Sequence, residues 1–502
     1  MKNNKIKRIS AKLFLAPLIF LLGACAGEGF DACDGGYSYA PNESGIPIYE
    51  DTNDYEVIKE NAFIDTATNN KSSFSLCSST AAYTNIRNMI LENGYLPNKN
   101  AVNIEQMLNY FTYSYSLNEG ETLGIFNEVS DCPWNSNHKL ASIAVKAKEA
   151  KTVGGSMNVV FLIDVSGSMY DRLPLVQKSF NYLINNLSDN DRVSIVTYAN
   201  GVDTLLDGAS GKDKEKIKNK VDSLTASGGT NGSGGIQRAY ELASKHFIEG
   251  GNNRVILATD GDFNIGISNQ KDLEDFISSK RESGVYLSVL GYGMGNYHDS
   301  TAETLARHGN GNAFYIDNES EARKMFAQGL SAAFEVVAKD TKTLVTFDKD
   351  QVNSYRLLGY ENALLTEEQF NDEKVDAGEV LSGDVTVAMY EIVLAEGANL
   401  DGDLFTSEIH YKDPKTNENK EVKNTNSAIS SDSSDDFKFQ AMVVEYGLLL
   451  RNSKYKGSAT YDQILEDSGR ISKHYFYDND DRSTFIRLVE ATKALEKDRY
   501  VD

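Results

Sequence analysis

The sequence has few cysteines and an excess of acidic over basic side chains, and both features exclude classes of protein. Its 502 residues include four cysteines and no CxxC pair, which argues against zinc-binding and thioredoxin-type sites. Lysine and arginine number 50 against 73 aspartates and glutamates, for a formal net charge of −23. Because nucleic-acid backbones bind basic surfaces, this balance argues against a nucleic-acid partner.

Motifs of common hydrolases and nucleotide-binding enzymes are also missing. The six histidines lie singly, without an HExxH motif, and neither a G-x-S-x-G turn nor a phosphate-binding glycine loop occurs. The composition, 40% hydrophobic and 25% charged, is ordinary for globular protein. The length suggests about three domains. We therefore expect a folded, multidomain protein that is not an enzyme.

Residues 1–24 have the pattern of a signal peptide. Basic residues without any acid precede ten apolar residues, Leu13 to Leu22, a run too short for the ~20 residues that span a bilayer. The sequence Leu-Gly-Ala-Cys that ends at Cys25 resembles a bacterial lipobox, which implies that Cys25 is acylated. An ordinary secretory signal with a chance cysteine is the alternative.

The lipobox resemblance implies a location for the mature protein. Two or more acyl chains hold a protein firmly on a membrane, so we expect a lipid-anchored protein of the cell envelope. Ala26, which follows Cys25, does not suggest retention in the inner membrane. The expected location is therefore the outer membrane if the bacterium is Gram-negative.

Composition and pattern divide the remaining chain into four parts. Residues 25–52 are rich in Gly, Ser, Asp and Asn, which is typical of a flexible tether. Residues 53–152 carry short helical patterns and are predicted to be an N-terminal domain. Residues 155–338 alternate strand and helix patterns, and residues 340–502 predict a C-terminal α+β domain.

The alternation in residues 155–338 predicts an α/β domain. Val159 to Ile163 and Val255 to Ala258 are continuous apolar runs, as expected of strands buried on both faces. Apolar residues recur at helical spacing between these strands, and a last helix is predicted over about residues 320–339. This order of elements indicates a doubly wound, mainly parallel sheet covered by helices on both faces.

Oxygen-rich loops follow the predicted strands of this domain. Asp164, Ser166 and Ser168 form a D-x-S-x-S turn after the first strand, Thr230 lies in a Gly-Gly-Thr loop, and Asp260 follows another buried strand. Carboxyl ends of parallel strands meet at one edge of a sheet, so the three loops can converge on one cation. Oxygen ligands favour Mg²⁺, with Mn²⁺ or Ca²⁺ as alternatives. Simple capping of the following helix is the competing interpretation.

The three loops together resemble the metal-ion-dependent adhesion site (MIDAS) of von Willebrand factor type A (VWA) domains. The resemblance implies direct coordination by Asp164, Ser166 and Ser168. It implies a direct or water-bridged contact from Thr230 and a contact mainly through water from Asp260.

Segments outside the α/β domain resemble the YfbK-like family of bacterial VWA lipoproteins. They are Asn103 to Phe111 near the N-terminus, Tyr355 to Asn362, Asp376 to Glu379, and Tyr446 to Arg451. The resemblance extends from about residue 72 to the C-terminus. It implies an exported envelope protein and does not imply a particular reaction.

The function expected from these features is metal-dependent binding of a protein partner. Asp164 and Asp260 would leave a divalent ion nearly neutral and incompletely coordinated, so an acidic side chain of a partner can complete its shell. An envelope assembly scaffold with a structural metal is the alternative. A metal-dependent hydrolase is a weaker one, since Asp262 is the only nearby candidate for a base.

A disulfide is expected between Cys77 and Cys132. Both cysteines lie in segments with ordered-looking patterns in a chain that is expected to be exported, whereas Cys33 lies in the tether. Pairing cannot be read from sequence, so three reduced thiols are the alternative.

Overall fold

The computed structural model describes residues 55, 57–76, 79–149, 156–229, 232–261, 270–293, 299–326, 335–372, 375, 377–425, 427–477 and 479–498. The signal peptide with Cys25, the tether, Cys77, Thr230 and Asp262 therefore lie outside the described residues. Within the described ranges, no helix combines the length and the apolar character needed to cross a membrane.

The described secondary structure begins near residue 64 and continues to residue 498. The strands are β1 (Ile64–Asp65), β2 (Lys71–Ser75), β3 (Leu123–Asp131), β4 (Lys139–Ala147), β5 (Met157–Asp164), β6 (Arg192–Tyr198), β7 (Val202–Ser210), β8 (Asn252–Thr259), β9 (Val285–Tyr292), β10 (Ala313–Ile316), β11 (Val336–Phe347), β12 (Val352–Leu358), β13 (Gly378–Leu381), β14 (Val385–Leu394), β15 (Phe405–Lys412) and β16 (Asn419–Asn424). The helices are α1 (Ala81–Arg87), α2 (Ile104–Asn109), α3 (Leu173–Asn185), α4 (Lys214–Asp222), α5 (Gly232–Lys245), α6 (Gln270–Arg281), α7 (Asp299–His308), α8 (Glu319–Phe326), α9 (Glu367–Asn371), α10 (Asp435–Leu450), α11 (Tyr461–Ser468), α12 (Lys473–Tyr477) and α13 (Asp480–Asp498).

Residues 156–326 form the central domain, which is built on one sheet. Its strand order is β10-β9-β8-β5-β6-β7, and all neighbours are parallel except β6 and β7. The predicted doubly wound, mainly parallel sheet is therefore confirmed. The edge strand β7 was not predicted, because its polar and half-exposed residues lack the apolar run that marks a buried strand.

Alternate residues of β5 supply the cores on the two faces of this sheet. Val159 and Phe161 pack into a core with α3, whereas Val160 and Leu162 pack on the other face with residues of α5. All eight residues of β5 are buried. Two-sided burial of this kind fixes the position of the strand and of the loop that follows Asp164.

The N- and C-terminal segments do not form the two separate domains that were predicted for residues 53–152 and 340–502. One sheet has the order β1-β12-β14-β4-β3, and a second has the order β13-β11-β15-β16 with β2 on β11. N-terminal strands β2 and β4 pair with C-terminal strands β11 and β14. The two segments therefore make one composite domain, and the central domain is inserted between β4 and β11.

The helix predicted over about residues 320–339 is also corrected. Helix α8 ends at Phe326, and a strand, β11, begins at Val336 and passes through the expected boundary at residue 340. Val336 and Ala338 pair with β13, and Lys339 pairs with β15. Cross-strand pairing with distant segments outweighs the local helical pattern here.

The expected disulfide is not formed in the structure, since Cys132 is a free, buried thiol. Cys132 follows β3 and lies in a hydrophobic core beside Trp134, and it is 3% exposed. Burial raises the pKa of this thiol far above its ordinary value, so Cys132 behaves as a small core side chain.

Candidate metal centre

Asp164 stands at the carboxyl edge of the central sheet, where the predicted site should lie. It is the last residue of β5 and has no exposed surface. Its Oδ1 accepts a hydrogen bond of 2.8 Å from the backbone N–H of Ser166. Its Oδ2 is buried and has no hydrogen-bond partner in the described part of the chain. A buried carboxylate oxygen without a donor is costly, so a group that can satisfy it is expected beside it.

The two serines of the D-x-S-x-S turn lie together beyond Asp164. Their hydroxyl oxygens are 3.1 Å apart, with Ser166 buried and Ser168 exposed. A 3₁₀ turn over Gly167–Met169 positions them. The turn thus places the hydroxyl oxygen of Ser166 inside the protein and the hydroxyl oxygen of Ser168 at its surface.

The second predicted loop is held directly against this turn. The N–H of Gly167 donates to the carbonyl of Gly228 at 2.9 Å, and the N–H of Ser227 donates to the carbonyl of Val165 at 2.8 Å. Gly228 has a φ of 82°, and a Cβ there would lie 2.4 Å from the Asn200 side chain, so glycine is required. The loop that carries Thr230 therefore starts beside Ser166, although Thr230 itself is not described.

Asp260 belongs to the third predicted loop and follows β8, the parallel neighbour of β5. It is 3% exposed, and its Oδ2 lies 3.6 Å from Nη1 of Arg172. The same nitrogen donates to the carbonyl of Ser168. Arg172 thus joins the first and third loops, and its side chain lies over Gly293, where a Cβ would be 1.6 Å from Nε.

Sequence reasoning did not identify Arg172 or Asn200 as parts of this edge. Arg172 lies just before α3, four residues after Ser168, and nothing in its local pattern separates it from a solvated arginine. Asn200 follows β6, and its Oδ1 accepts a hydrogen bond of 2.6 Å from the N–H of Gly229. Arg172 follows the D-x-S-x-S motif and Asn200 follows β6, so both come after chain segments that end at the carboxyl edge. That position is the one feature of the sequence that could have identified them.

The electrostatics of Asp164 reflect its surroundings. Burial, with a smaller contribution from the charge of Asp260, raises its pKa from 3.8 to about 6. An ion with two positive charges would stabilise both carboxylates. Carboxylate and hydroxyl oxygens are the ligands that Mg²⁺, Mn²⁺ and Ca²⁺ prefer, so the residues present fit such an ion.

Three family models match successive segments of this chain. A family model described as the von Willebrand factor type A domain matches residues 158–328. A second, described as the C-terminal part of the uncharacterized protein YfbK, matches residues 332–495. A third, described as von Willebrand factor, matches residues 49–142.

Individual relatives differ in how much of their length is covered. The uncharacterized protein YfbK of Escherichia coli K12 is 35% identical over 473 residues, which are 88% of this chain and 81% of that protein. Human inter-alpha-trypsin inhibitor heavy chain H3 is 26% identical over 274 residues, which are 51% of this chain and 29% of that protein. A solved von Willebrand factor type A protein from Catenulispora acidiphila has a TM-score of 0.39 and 15% identity, covering 71% of this chain and 90% of its own. Because the match to YfbK extends over most of both chains, the protein belongs to the YfbK family and contains a VWA domain.

Proposed function

We propose that this protein is a cell-envelope lipoprotein that binds a partner protein through a divalent metal ion at a MIDAS. The observation that carries the proposal is the buried, unpartnered Oδ2 of Asp164 beside two serine hydroxyls. Asp164, Ser166 and Ser168 would hold the ion directly, with Thr230 and Asp260 completing the set. Mg²⁺ is the expected ion, with Mn²⁺ or Ca²⁺ as alternatives.

The charge at this edge favours an acidic group on the partner. A bound divalent ion would balance the two carboxylates of Asp164 and Asp260, and the guanidinium of Arg172 adds a further positive charge at 3.6 Å from Asp260. The occupied site would therefore be net positive. A carboxylate from a partner can complete the coordination shell of the ion in this partly buried environment.

The surroundings of the ion support binding more than hydrolysis. A hydrolase needs a group close to the metal that can accept a proton. Asp260 is paired with Arg172, and in our proposal Ser166 and Ser168 are ligands of the ion, so none of these groups is left to act as a base. Tyr170, two residues after Ser168, is 74% exposed and leaves an aromatic ring available to a partner protein.

The proposed location depends on the first 26 residues. Lipid attachment at Cys25 would anchor the protein in the cell envelope, at the outer membrane if the bacterium is Gram-negative. Mass spectrometry of the protein purified from membranes tests this part. We expect an acylated N-terminal Cys25, and a chain that starts elsewhere without lipid would contradict the anchor.

Metal binding is tested by thermal unfolding of wild type and Asp164→Ala with Mg²⁺ and with EDTA. A ligand that binds only the folded state raises its stability, so Mg²⁺ should raise the melting temperature of the wild type and leave that of Asp164→Ala unchanged. In EDTA the variant should melt close to the wild type, because the substitution removes one hydrogen bond from the N–H of Ser166 and also removes a buried carboxylate oxygen, Oδ2, that has no partner among the described residues. Asp203→Ala, an exposed site on β7 of the same domain, is the matched control and should respond to Mg²⁺ as wild type does.

Partner binding is tested by cross-linking in envelope extract with the same three proteins. Products that form with wild type and Asp203→Ala in Mg²⁺, and that are lost in EDTA and in Asp164→Ala, would support an adhesion site. If Mg²⁺ stabilised only the proteins with Asp164 and cross-linking were the same for all, the metal would be structural. The proposal of partner binding through the ion would then be wrong.

A further inference from the structure

A second group of metal-ligating side chains lies in the composite domain, away from Asp164. Glu408 and His410 are on β15 and Glu421 is on β16, and one ligand atom from each lies within 4.8 Å of the others. His410 is directly paired with Glu421 across the two strands. Glu408 is two residues from His410 and therefore on the same face.

The imidazole of His410 is oriented toward the carboxylates. The ring of Phe370, in α9, packs edge-on against it with 5.0 Å between ring centroids. Its Nε2 is buried, lies 3.5 Å from Oε2 of Glu408, and has no hydrogen-bond partner among the residues that the structure describes. A ring that packs against Phe370 and has a buried nitrogen 3.5 Å from a carboxylate suits a histidine ligand.

We propose that Glu408, His410 and Glu421 bind a divalent transition-metal ion of the Zn²⁺ type. One imidazole nitrogen with two carboxylates is a mixed donor set that favours such ions over Mg²⁺. Zn²⁺ sites in proteins are usually tetrahedral with bonds of about 2.0–2.2 Å, which places the ligand atoms of one ion about 3.3–3.6 Å apart. Nε2 of His410 and Oε2 of Glu408 are already 3.5 Å apart. The ligand atom of Glu421 lies within 4.8 Å of the others, so it has to move closer by up to about 1.5 Å. Water would fill the remaining positions.

Lys342 and Lys423 are paired across the sheet with residues of this group, and they differ in how they affect it. Nζ of Lys342, on β11 opposite His410, donates to the carbonyls of Gln369, Phe370 and Asp372 and is held by the end of α9. Nζ of Lys423 lies 2.7 Å from Oε1 of Glu408 and competes with a cation for that carboxylate. Lys423 is half-exposed, so it can move into solvent when the ion binds.

Zinc titration by calorimetry into the full-length chain carrying Asp164→Ala tests the site without a contribution from the first centre. We expect saturable binding of zinc that is lost on adding His410→Ala or Glu421→Gln. Glu418→Gln, an exposed residue on the same hairpin with the same change of charge, should leave binding unchanged. Lys423→Met should tighten binding, because it removes the competing cation.

The outcomes distinguish zinc binding at this site from zinc binding elsewhere in the chain and from effects of unfolding. Circular dichroism and melting temperatures show whether each variant is folded. The side chain of His410 is 38% exposed, so its replacement does not open the core. If Asp164→Ala bound no zinc, or bound it equally with and without His410, the proposed site would be wrong. Weaker binding in Lys423→Met would contradict it as well.

Discussion

Glu445 lies in the middle of α10 with no exposed surface, and neither of its carboxylate oxygens has a hydrogen-bond partner in the described ranges. Burial, with a smaller contribution from the charge of Asp467, raises its pKa from 4.5 to about 8. The folded protein therefore keeps this proton over a pH range in which the unfolded chain has lost it.

The pH dependence of stability follows from this difference. Between about pH 4.5 and 8 the folded state binds one more proton at Glu445 than the unfolded state, so rising pH destabilises the fold, by up to roughly 1.4 kcal/mol per unit. Glu445→Gln should remove this contribution. Urea unfolding at several pH values measures this contribution as the difference in the free energy of unfolding between wild type and variant. If that difference did not change with pH, the prediction would be wrong.

At the scale of elements, three of the segments that resemble the YfbK-like family, Asn103 to Phe111, Tyr355 to Asn362 and Tyr446 to Arg451, meet at one buried ion cluster. Glu105 in α2 accepts a hydrogen bond of 3.0 Å from the N–H of Tyr360, next to Glu361. Arg451, after α10, pairs with Glu361 and donates from Nε to the carbonyl of Val102 at 2.6 Å. Burial, followed by the charge of Glu361, raises the pKa of Glu105 to about 7.

Arg451 should therefore be the residue on which this junction depends. Arg451→Met leaves two carboxylates buried near each other without their counter-charge, and breaking such a pair costs about 3–5 kcal/mol. Arg470→Met is the control, because Arg470 is exposed and its pair with Asp467 contributes about 0–1 kcal/mol. Urea unfolding at pH 8 should show a large loss for the first variant alone. Equal midpoints for the two would contradict the role assigned to Arg451.

Elements with a strong local pattern were predictable, and elements stabilised by distant partners were not. Strands β5 and β8 contain the continuous apolar runs Val159 to Ile163 and Val255 to Ala258 because both faces of the sheet are covered, and these runs are visible in the sequence. The polar edge strand β7 has no such pattern. Val336 to Lys339 were assigned to a helix because their pairing with β13 and β15 depends on residues far along the chain.

The same limit applies to the candidate site. The meeting of Asp164, Ser166, Ser168 and Asp260 follows from the rule that parallel strands end at one edge, so it could be predicted from strand order and spacing. Arg172 reaches this edge through contacts with the carbonyl of Ser168, with Asp260 and with Gly293. These contacts exist only in the folded protein and leave no periodic signal in the sequence.

For the molecule as a whole, the composite domain could not be predicted, because its sheets join segments on either side of the central domain. Lys146 is paired with Val385, and Ser75 with Lys342. The sequence alone indicates two α+β segments, one before and one after the central domain. Strands of each segment pair with strands of the other, and this pairing is not visible in the sequence. Sharing strands in this way ties both ends of the inserted domain to one body.

A cluster of charged residues also connects the central and composite domains. Arg87, at the end of α1, is paired with Asp317 at 2.6 Å and with Glu321, in α8, at 3.0 Å. The hydroxyl of Tyr110 accepts from Arg87 at 2.7 Å and donates to Glu321 at 2.7 Å. All three charged side chains are at most 10% exposed, so the cluster is largely shielded from solvent.

Removing Arg87 should weaken the coupling between the two domains. Arg87→Met leaves Asp317 and Glu321 buried without their counter-charge, which costs about 3–5 kcal/mol, and this cost acts at the domain junction. We expect the calorimetric unfolding of the variant to separate into two transitions where the wild type shows one. Lys324→Met removes a second ion pair across the same junction, with Asp481, whose side chains are 35% and 26% exposed. Because solvent screens this pair, its loss should shift unfolding far less and keep one transition. A single, unshifted transition in Arg87→Met would show that the shared strands alone hold the domains together.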